Sequence, residues 1–490
     1  MMDKWIFSRN GGCYMFFRSY ADEQLSQYSY MIACQKTGEA IVIDPARDLT
    51  PYIETARKEG FRLTAAAETH IHADFVSGAR QMASDYGAAL YLSDEGGKEW
   101  KYEFTDGLSV NLLKDGDVFM VGKVEFKVMH TPGHTPESIS FILTDRGSGS
   151  AVPMGIFTGD FVFVGDVGRP DLLEKAVQLQ GTAETGAGQM YDSIQVFKQL
   201  PDHLIVWPGH GAGSACGKSL GAVPISTVGY EKANNWALKE MSKEGFHEEL
   251  LKDQPEPPAY FSVMKKVNKG GPNVLANETI PYVEHLTDLR AYMNRSDVTV
   301  IDTRDSREFA AGHLKGTINL PYTRIFTNWA GWLLDYEHTL AVIAAEEQTE
   351  SIRRSLQSIG LDRIAAFVSP SVLKEADALE KYRNIDAERL KEQYSKEDVY
   401  VIDVRQQREW DEGHIPTAHH HMLGDLEEEA GQLPKDKKLI VHCQTGARSA
   451  IGTSLLQAKG FKNVENLLTG FDGWEKAGGP VEQGDKEEKK

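Results

Sequence analysis

The chain has 490 residues, 41% of them hydrophobic, and a formal net charge of −19. At roughly 100–200 residues per domain it is too long for one core and reads as three domains. The acidic balance excludes nucleic acid as the main partner, and no apolar run reaches the ~20 residues a membrane helix needs.

Met1–Tyr14 carries Trp5, Ile6 and Phe7 without a sustained apolar region. It does not read as a secretory signal, so the chain is expected to be cytoplasmic, with residues 1–14 as an N-terminal extension. Four cysteines, Cys13, Cys34, Cys216 and Cys443, are far apart and lack CxxC spacing. That excludes a zinc knuckle, a dithiol motif and a disulfide framework.

Strand-like runs follow at Met31–Cys34, Ala40–Ile43, Leu63–Ala67, Val124–Val128, Ile139–Leu143 and Leu204–Val206, with helical patterns at Leu49–Glu59 and Val76–Tyr86. Mixed strands with helices outside suggest a layered α/β sandwich over 15–250. Cys34, in an apolar strand, is expected to pack. Pro255, Pro257, Pro258, Gly270, Gly271 and Pro272 mark 251–275 as a linker.

Beyond it the sequence repeats. Val300-Ile-Asp-Thr-Arg304 with Glu308-Phe309 and Gly312-His313 returns as Val401-Ile-Asp-Val-Arg405 with Glu409-Trp410 and Gly413-His414, at an offset of 101 residues from Gly312 to Gly413. Two copies of one α/β module, over 276–373 and 384–482, are expected, each with a parallel sheet and active loops at strand C-termini. Polar Lys374–Asn384 would link them, and 483–490 is a charged tail.

Four loops after apolar strands carry metal-type side chains: His70-Ile-His72-Ala-Asp74, Thr131-Pro-Gly-His134-Thr135, Thr158-Gly-Asp160 and Pro208-Gly-His210. Histidines and carboxylates converging from distant sequence are how a rigid scaffold builds a metal cage. Later in the chain, Cys443-Gln-Thr-Gly-Ala-Arg448 lies between the strand Leu439–Val441 and the helix-like Ser449–Lys459. Such a loop aims the sulfur into backbone N–H groups at a helix N-terminus, and these with Arg448 favour a thiolate. The first copy has Ile343-Ala344-Ala345-Glu346-Glu347 there. Its glutamates would repel an anion, so that copy reads as non-catalytic. His419-His420-His421 point in different directions and read as structural.

The four metal loops together resemble the metallo-β-lactamase superfamily. Hydrolytic members usually carry a histidine where this chain has Phe75, which cannot ligate; one metal is therefore expected rather than two. The loops resemble those of persulfide dioxygenases, and the Cys443 loop, tighter than that of tyrosine phosphatases, resembles rhodanese, as does Thr469–Trp474. The expected fold is thus an α/β metallo-β-lactamase αββα sandwich followed by two rhodanese-like α/β domains.

What the resemblance implies is one Fe(II) per chain held by His70, His134 and Asp160, the facial triad of non-haem oxygenases. His72, Asp74 and His210 would stand around it, and Arg169 would bind substrate. A low-molecular-weight thiol persulfide would be oxidised with O2 to sulfite, which a persulfide on Cys443, assisted by Arg448, would convert to thiosulfate. Cys216, in Gly-Ser-Ala-Cys216-Gly-Lys, matches a cysteine that lies near the iron and can carry sulfur. The alternative is a dinuclear glyoxalase-II-like thioester hydrolase fused to a thiosulfate sulfurtransferase. Oligomeric state stays open, a homo-oligomer included, as does the thiol that carries the persulfide.

Overall fold

The computed structural model describes residues 15–172, 174, 181–276 and 278–483. The extension 1–14 with Cys13, and the tail beyond Gln483, lie outside the described residues. The chain divides into two compact units, one ending at Ala276 and the other starting at residue 277. Among the described residues no helix is long and apolar enough to cross a membrane.

The first unit holds two six-stranded sheets. One runs β1 (Met15–Asp22), β2 (Gln27–Cys34), β3 (Glu39–Ile43), β4 (Arg62–Ala67), β5 (Ala89–Ser93) and β6 (Val110–Leu113) in sequence order. The other contains β7 (Val118–Val121), β8 (Val124–His130), β9 (Ile139–Asp145), β10 (Gly155–Gly159), β11 (Ile205–Pro208) and β12 (Ser226–Thr227), ordered from β12 back to β7. Strand alternation divides the apolar residues. Tyr30, Ile32, Val124, Phe126, Val128 and Phe141 fill the space between the sheets, with Cys34 among them, as expected. Met31, Ala33, Val42 and Ala66 face outward onto Tyr52, Ala56, Ala79 and Met82 of helices Thr50–Glu59 and Ala79–Tyr86. On the other flank Ile156 and Val206 meet Met190, Ile194 and Phe246 of helices Thr182–Phe197 and Lys243–Leu251. This is the αββα sandwich.

The stretch expected as a linker is not one. It contains a helix, Phe261–Gly270, with Phe261, Met264 and Asn268 buried, and Arg80 donates to the carbonyls of Gly271 and Pro272 at 2.9 and 2.7 Å. Proline and glycine mark where the backbone turns, not whether it is packed.

The second unit contains two all-parallel five-stranded sheets. β13 (Tyr282–Val283), β14 (Val298–Asp302), β15 (Ile318–Asn319), β16 (Thr339–Ile343) and β17 (Ile364–Val368) stand in the order β13-β17-β16-β14-β15. β18 (Arg383–Ile385), β19 (Val399–Asp403), β20 (Ala418–His420), β21 (Lys438–His442) and β22 (Val464–Leu467) repeat that order as β18-β22-β21-β19-β20. The polar stretch from Lys374, also expected as a linker, is docked: Glu380 exchanges two backbone hydrogen bonds with His313 and Tyr382 donates to the Ala310 carbonyl.

Candidate metal centre and sulfur-transfer loop

The four metal loops leave β4, β8, β10 and β11, so rigid strands fix where each begins. Close approach between them depends on glycine. Gly159 has φ +50°, and a Cβ there would lie 2.3 Å from the Thr69 hydroxyl, a clash no side chain could avoid.

His70, His134 and Asp160 come together and are all buried, each offering a ligand atom within 4.8 Å of the others. His134 Nε2 lies 3.6 Å and His70 Nε2 3.9 Å from Asp160 Oδ2. His70 Nε2 and Asp160 Oδ2 have no hydrogen-bond partner. Buried polar atoms are rarely left so, and a metal between them would satisfy both. The opposite ring nitrogens settle the tautomers. The Thr69 hydroxyl and N–H both donate to Asp44, at 3.0 and 2.7 Å. His70 Nδ1, 3.0 Å from that hydroxyl, must then be the donor, which leaves the Nε2 lone pair free. His134 Nδ1 donates to the Arg169 carbonyl at 3.0 Å with the same result.

Burial lowers the pKa of both His70 and His134, so they are neutral imidazoles suited to ligation. Burial works against ionisation of Asp160, but His210, His70 and His134 together hold its carboxyl well below the ordinary range. The residues present therefore fit one divalent metal with two imidazoles and a carboxylate. The His72 ring lies beside that of His70, with centroids 4.3 Å apart. Its Nε2 is 3.1 Å from Asp44; burial disfavours the cation, yet Asp44, Glu68 and Asp74 push its pKa up to about 9. Phe75 is buried and its ring centroid lies 4.4 Å from that of His72.

Asp74, His210 and Cys216 form a second buried group whose potential ligand atoms also lie within 4.8 Å of one another. His210 bridges the two groups, with Nε2 2.7 Å from Asp74 and Nδ1 2.8 Å from Asp160. Burial opposes its charge, but those two carboxylates raise its pKa well above the ordinary value. Burial pushes the Cys216 thiol well up, and Asp160 and Asp74 add to this. Folding brings Cys216 to Asp74 and His210 from a separate loop.

Arg169 adjoins the His134 loop. Its side chain is fully buried and pairs with Asp171 through two bonds of 2.7 and 2.6 Å. The positive charge expected to meet an anionic substrate is thus neutralised within the protein. The residue acts as a tie: its carbonyl accepts a hydrogen bond from His134 Nδ1 and its N–H donates to the Cys216 carbonyl.

In the last module, β21 ends at His442 and the helix Ala447–Ala458 begins beyond the loop. Cys443 is buried, and its sulfur accepts the Gly446 N–H at 3.2 Å. Gly446 has φ +97°, where a Cβ would lie 2.0 Å from the Leu468 carbonyl oxygen. Phe471 and Asp472, in the helix Gly470–Lys476, donate N–H groups to the carbonyls of Cys443 and Gln444, which explains the Thr469–Trp474 signature. Arg448 is held by Glu409 through bonds of 2.7 and 2.6 Å. Its charge is shared with that carboxylate rather than given to the sulfur alone.

Sheet register assigns the counterpart of Cys443 in the first copy. Asp302 pairs with Ile343 as Asp403 pairs with His442, so Ala344 stands where Cys443 does. The triple histidines diverge: His419 stacks on Tyr400, His420 bonds the Arg405 carbonyl and His421 pairs with Glu429. Sequence reading missed Asp44, Glu137 and Asn268, whose side chains hold the His70 loop. Of these only Asp44 had a signal, an acidic residue directly after the apolar run Ala40–Ile43.

A profile of the metallo-beta-lactamase superfamily matches residues 22–210, and one of the rhodanese-like domain matches 285–368 and 386–477. A crystal structure of a metallo-beta-lactamase from Staphylococcus aureus is 46% identical, with a TM-score of 0.65, covering 73% of this chain and 99% of that one. The persulfide dioxygenase ETHE1 of Bos taurus is 27% identical over 46% of this chain and 76% of its own. A hydroxyacylglutathione hydrolase of Tolumonas auensis is 31% identical over 38% of this chain and 62% of its own. The chain belongs to the metallo-beta-lactamase superfamily, and its second unit is a pair of rhodanese-like domains.

Proposed function

We propose that the chain is a persulfide dioxygenase joined to a sulfurtransferase: the first domain oxidises a low-molecular-weight thiol persulfide with O2 to sulfite, and the Cys443 domain converts sulfite to thiosulfate. The observation that carries this is the buried trio His70, His134 and Asp160, with two partnerless atoms turned to one point. Two neutral imidazoles and one carboxylate are the donor set of non-haem iron(II) oxygenases. One Fe(II) held there supplies activation of O2 and orients the sulfur to be oxidised.

The chain's own residues do the rest. Asp44, through Thr69, and the Arg169 carbonyl fix the imidazole tautomers. Phe75 and Phe163 are buried, with their rings beside His72 and His210. His210 holds a proton on each ring nitrogen, between Asp74 and Asp160. At the other site, the Cys443 thiolate attacks the sulfane sulfur of a second persulfide and the parent thiolate leaves. Sulfite then attacks the outer sulfur of the enzyme persulfide, which releases thiosulfate and restores Cys443. Joining the sites in one chain raises the local concentration of sulfite at Cys443.

The test is oxygen uptake with a panel of thiol persulfides, sulfite and thiosulfate being quantified. One O2 consumed per persulfide is expected; turnover at full rate without oxygen would overturn the proposal. One observation favours a second reading. Asp74, His210 and Cys216 offer a second set of ligands, as a dinuclear thioester hydrolase would need. Two zinc ions per purified chain, with thioester hydrolysis and no oxygen uptake, would establish that reading instead.

A further inference from the structure

The loop between β4 and the helix Ala79–Tyr86 carries His70, His72 and Asp74, yet it is irregular and buried. A loop without a strand ladder must satisfy its buried peptide groups elsewhere. Asp44 takes the Thr69 N–H and Glu137 takes the Ile71 N–H. Three further groups converge on one side chain from the helix Phe261–Gly270. Asn268 Nδ2 donates to the His72 carbonyl at 2.8 Å and to the Phe75 carbonyl at 2.7 Å, and its Oδ1 accepts the Ser77 N–H at 2.9 Å. Two carbonyls on one side and an N–H on the other allow only one orientation of the carboxamide. Asn268 is 1% exposed.

The helix that presents it is anchored independently. Gly271 closes it at φ +92° against Phe104, Lys269 accepts the Glu103 N–H through its carbonyl, and the Lys265 ammonium lies 3.6 Å from the Trp100 ring centroid. The loop segment it grips, residues 72–77, contains Asp74. From Asp74 the bonds run to His210 and on to Asp160.

We propose that Asn268 is a positioning residue of the metal centre: by fixing the backbone of residues 72–77 it aims Asp74 at His210 and so holds Asp160 in place to ligate. The inference rests on the His70–His134–Asp160 trio being a metal site, and it makes the helix Phe261–Gly270 part of that centre. Partners one step removed from metal ligands typically contribute about 10–100-fold in affinity.

The experiment measures Co(II) and Fe(II) affinity anaerobically by chelator competition. It also records the visible spectrum of the Co(II) form and the thermal midpoint of the metal-free protein, always with the full chain. Asn268→Ala is compared with Phe246→Ala, a core substitution remote from the loop, and with His70→Ala. Asn268→Asp serves if the alanine variant does not fold, because it keeps the acceptor for Ser77 and loses the donor. The expected result is an affinity loss of about 10–100-fold and an altered Co(II) spectrum for the Asn268 variant, with Phe246→Ala losing only thermal stability. Unchanged affinity and spectrum in the Asn268 variant, while His70→Ala abolishes binding, would overturn the inference and leave the metal reading standing. Equal binding by wild type and His70→Ala would overturn the metal reading and the inference together.

Discussion

The two chemical centres are built in opposite ways. The metal trio draws its side chains from three loops that lie far apart in sequence, and its order depends on Asp44, Arg169 and Glu137, none of which is a ligand. The Cys443 cradle is nearly continuous: cysteine, Gly446 and the start of the following helix occupy one short stretch. A distributed site can be damaged from many positions; a local one fails mainly through its own residues. The two copies of the second unit make the same point. Asp302 and Arg304 pair as Asp403 and Arg405 do, and each arginine also reaches the carbonyl of the following glycine, Gly312 or Gly413. This frame is kept in both, while the loop after the central strand differs.

The largest expected effects separate the centres. His134→Ala removes an imidazole from the trio and should cut oxygen uptake with a thiol persulfide by more than about 100-fold. Sulfur transfer from thiosulfate to cyanide, assayed on the same variant, should be unaffected. Uptake at the wild-type rate would remove His134 from the metal. Cys443→Ser should do the reverse, keeping oxygen uptake while the product shifts from thiosulfate to sulfite. An unchanged thiosulfate yield would move sulfur transfer elsewhere, with Cys216 the next thiol to test.

Smaller effects sharpen the contrast. Gly446→Ala places a Cβ 2.0 Å from the Leu468 carbonyl oxygen at φ +97°. Such strain costs ~1–3 kcal/mol; transfer assays should show roughly a tenfold loss, with the metal centre untouched. Glu137 tests how the distributed site responds to pH. Burial pushes its carboxyl from 4.5 up to about 7. The folded protein therefore keeps a proton that the unfolded chain has released, and stability falls as pH rises through that window. In the metal-free protein, Glu137→Gln should make this decline shallower, by at most ~1.4 kcal/mol per pH unit, in thermal melts between pH 5 and pH 8 run on both proteins, while the share from His72 and His210 remains. A slope identical to wild type would show that Glu137 does not titrate there. The smallest expectation is for the silent copy: Ala344→Cys restores a thiol in register but not the glycine turn behind it, and should add no sulfur transfer to a Cys443→Ser background.

How much the sequence revealed follows from the same contrast. The strands Leu63–Ala67 and Val298–Ile301 were legible because β-branched or small apolar runs ended in recognisable loops, and the repeat offset predicted twin sheets that the topology bears out. His70, His134 and Asp160 stood out because each follows a strand. Asn268 and Glu137 did not, since nothing local distinguishes a buried clamp from an ordinary polar residue. The helix Phe261–Gly270 was hidden by flanking prolines and glycines, and the pairing of Arg169 with Asp171, two residues on, was not read from the sequence.

One contact within the second unit bears on how this protein could change over generations. The helix that starts behind Cys443 is buried from Ser449 to Gln457; the Asn319 N–H donates to Ser454 at 3.0 Å, and Gln457 donates to the Lys381 carbonyl. The copy without a thiol thus reaches the helix that follows Cys443 through Asn319. A deletion reaching from Asn319 to Lys381 would remove both of these bonds and leave Ser454 and Gln457 without them.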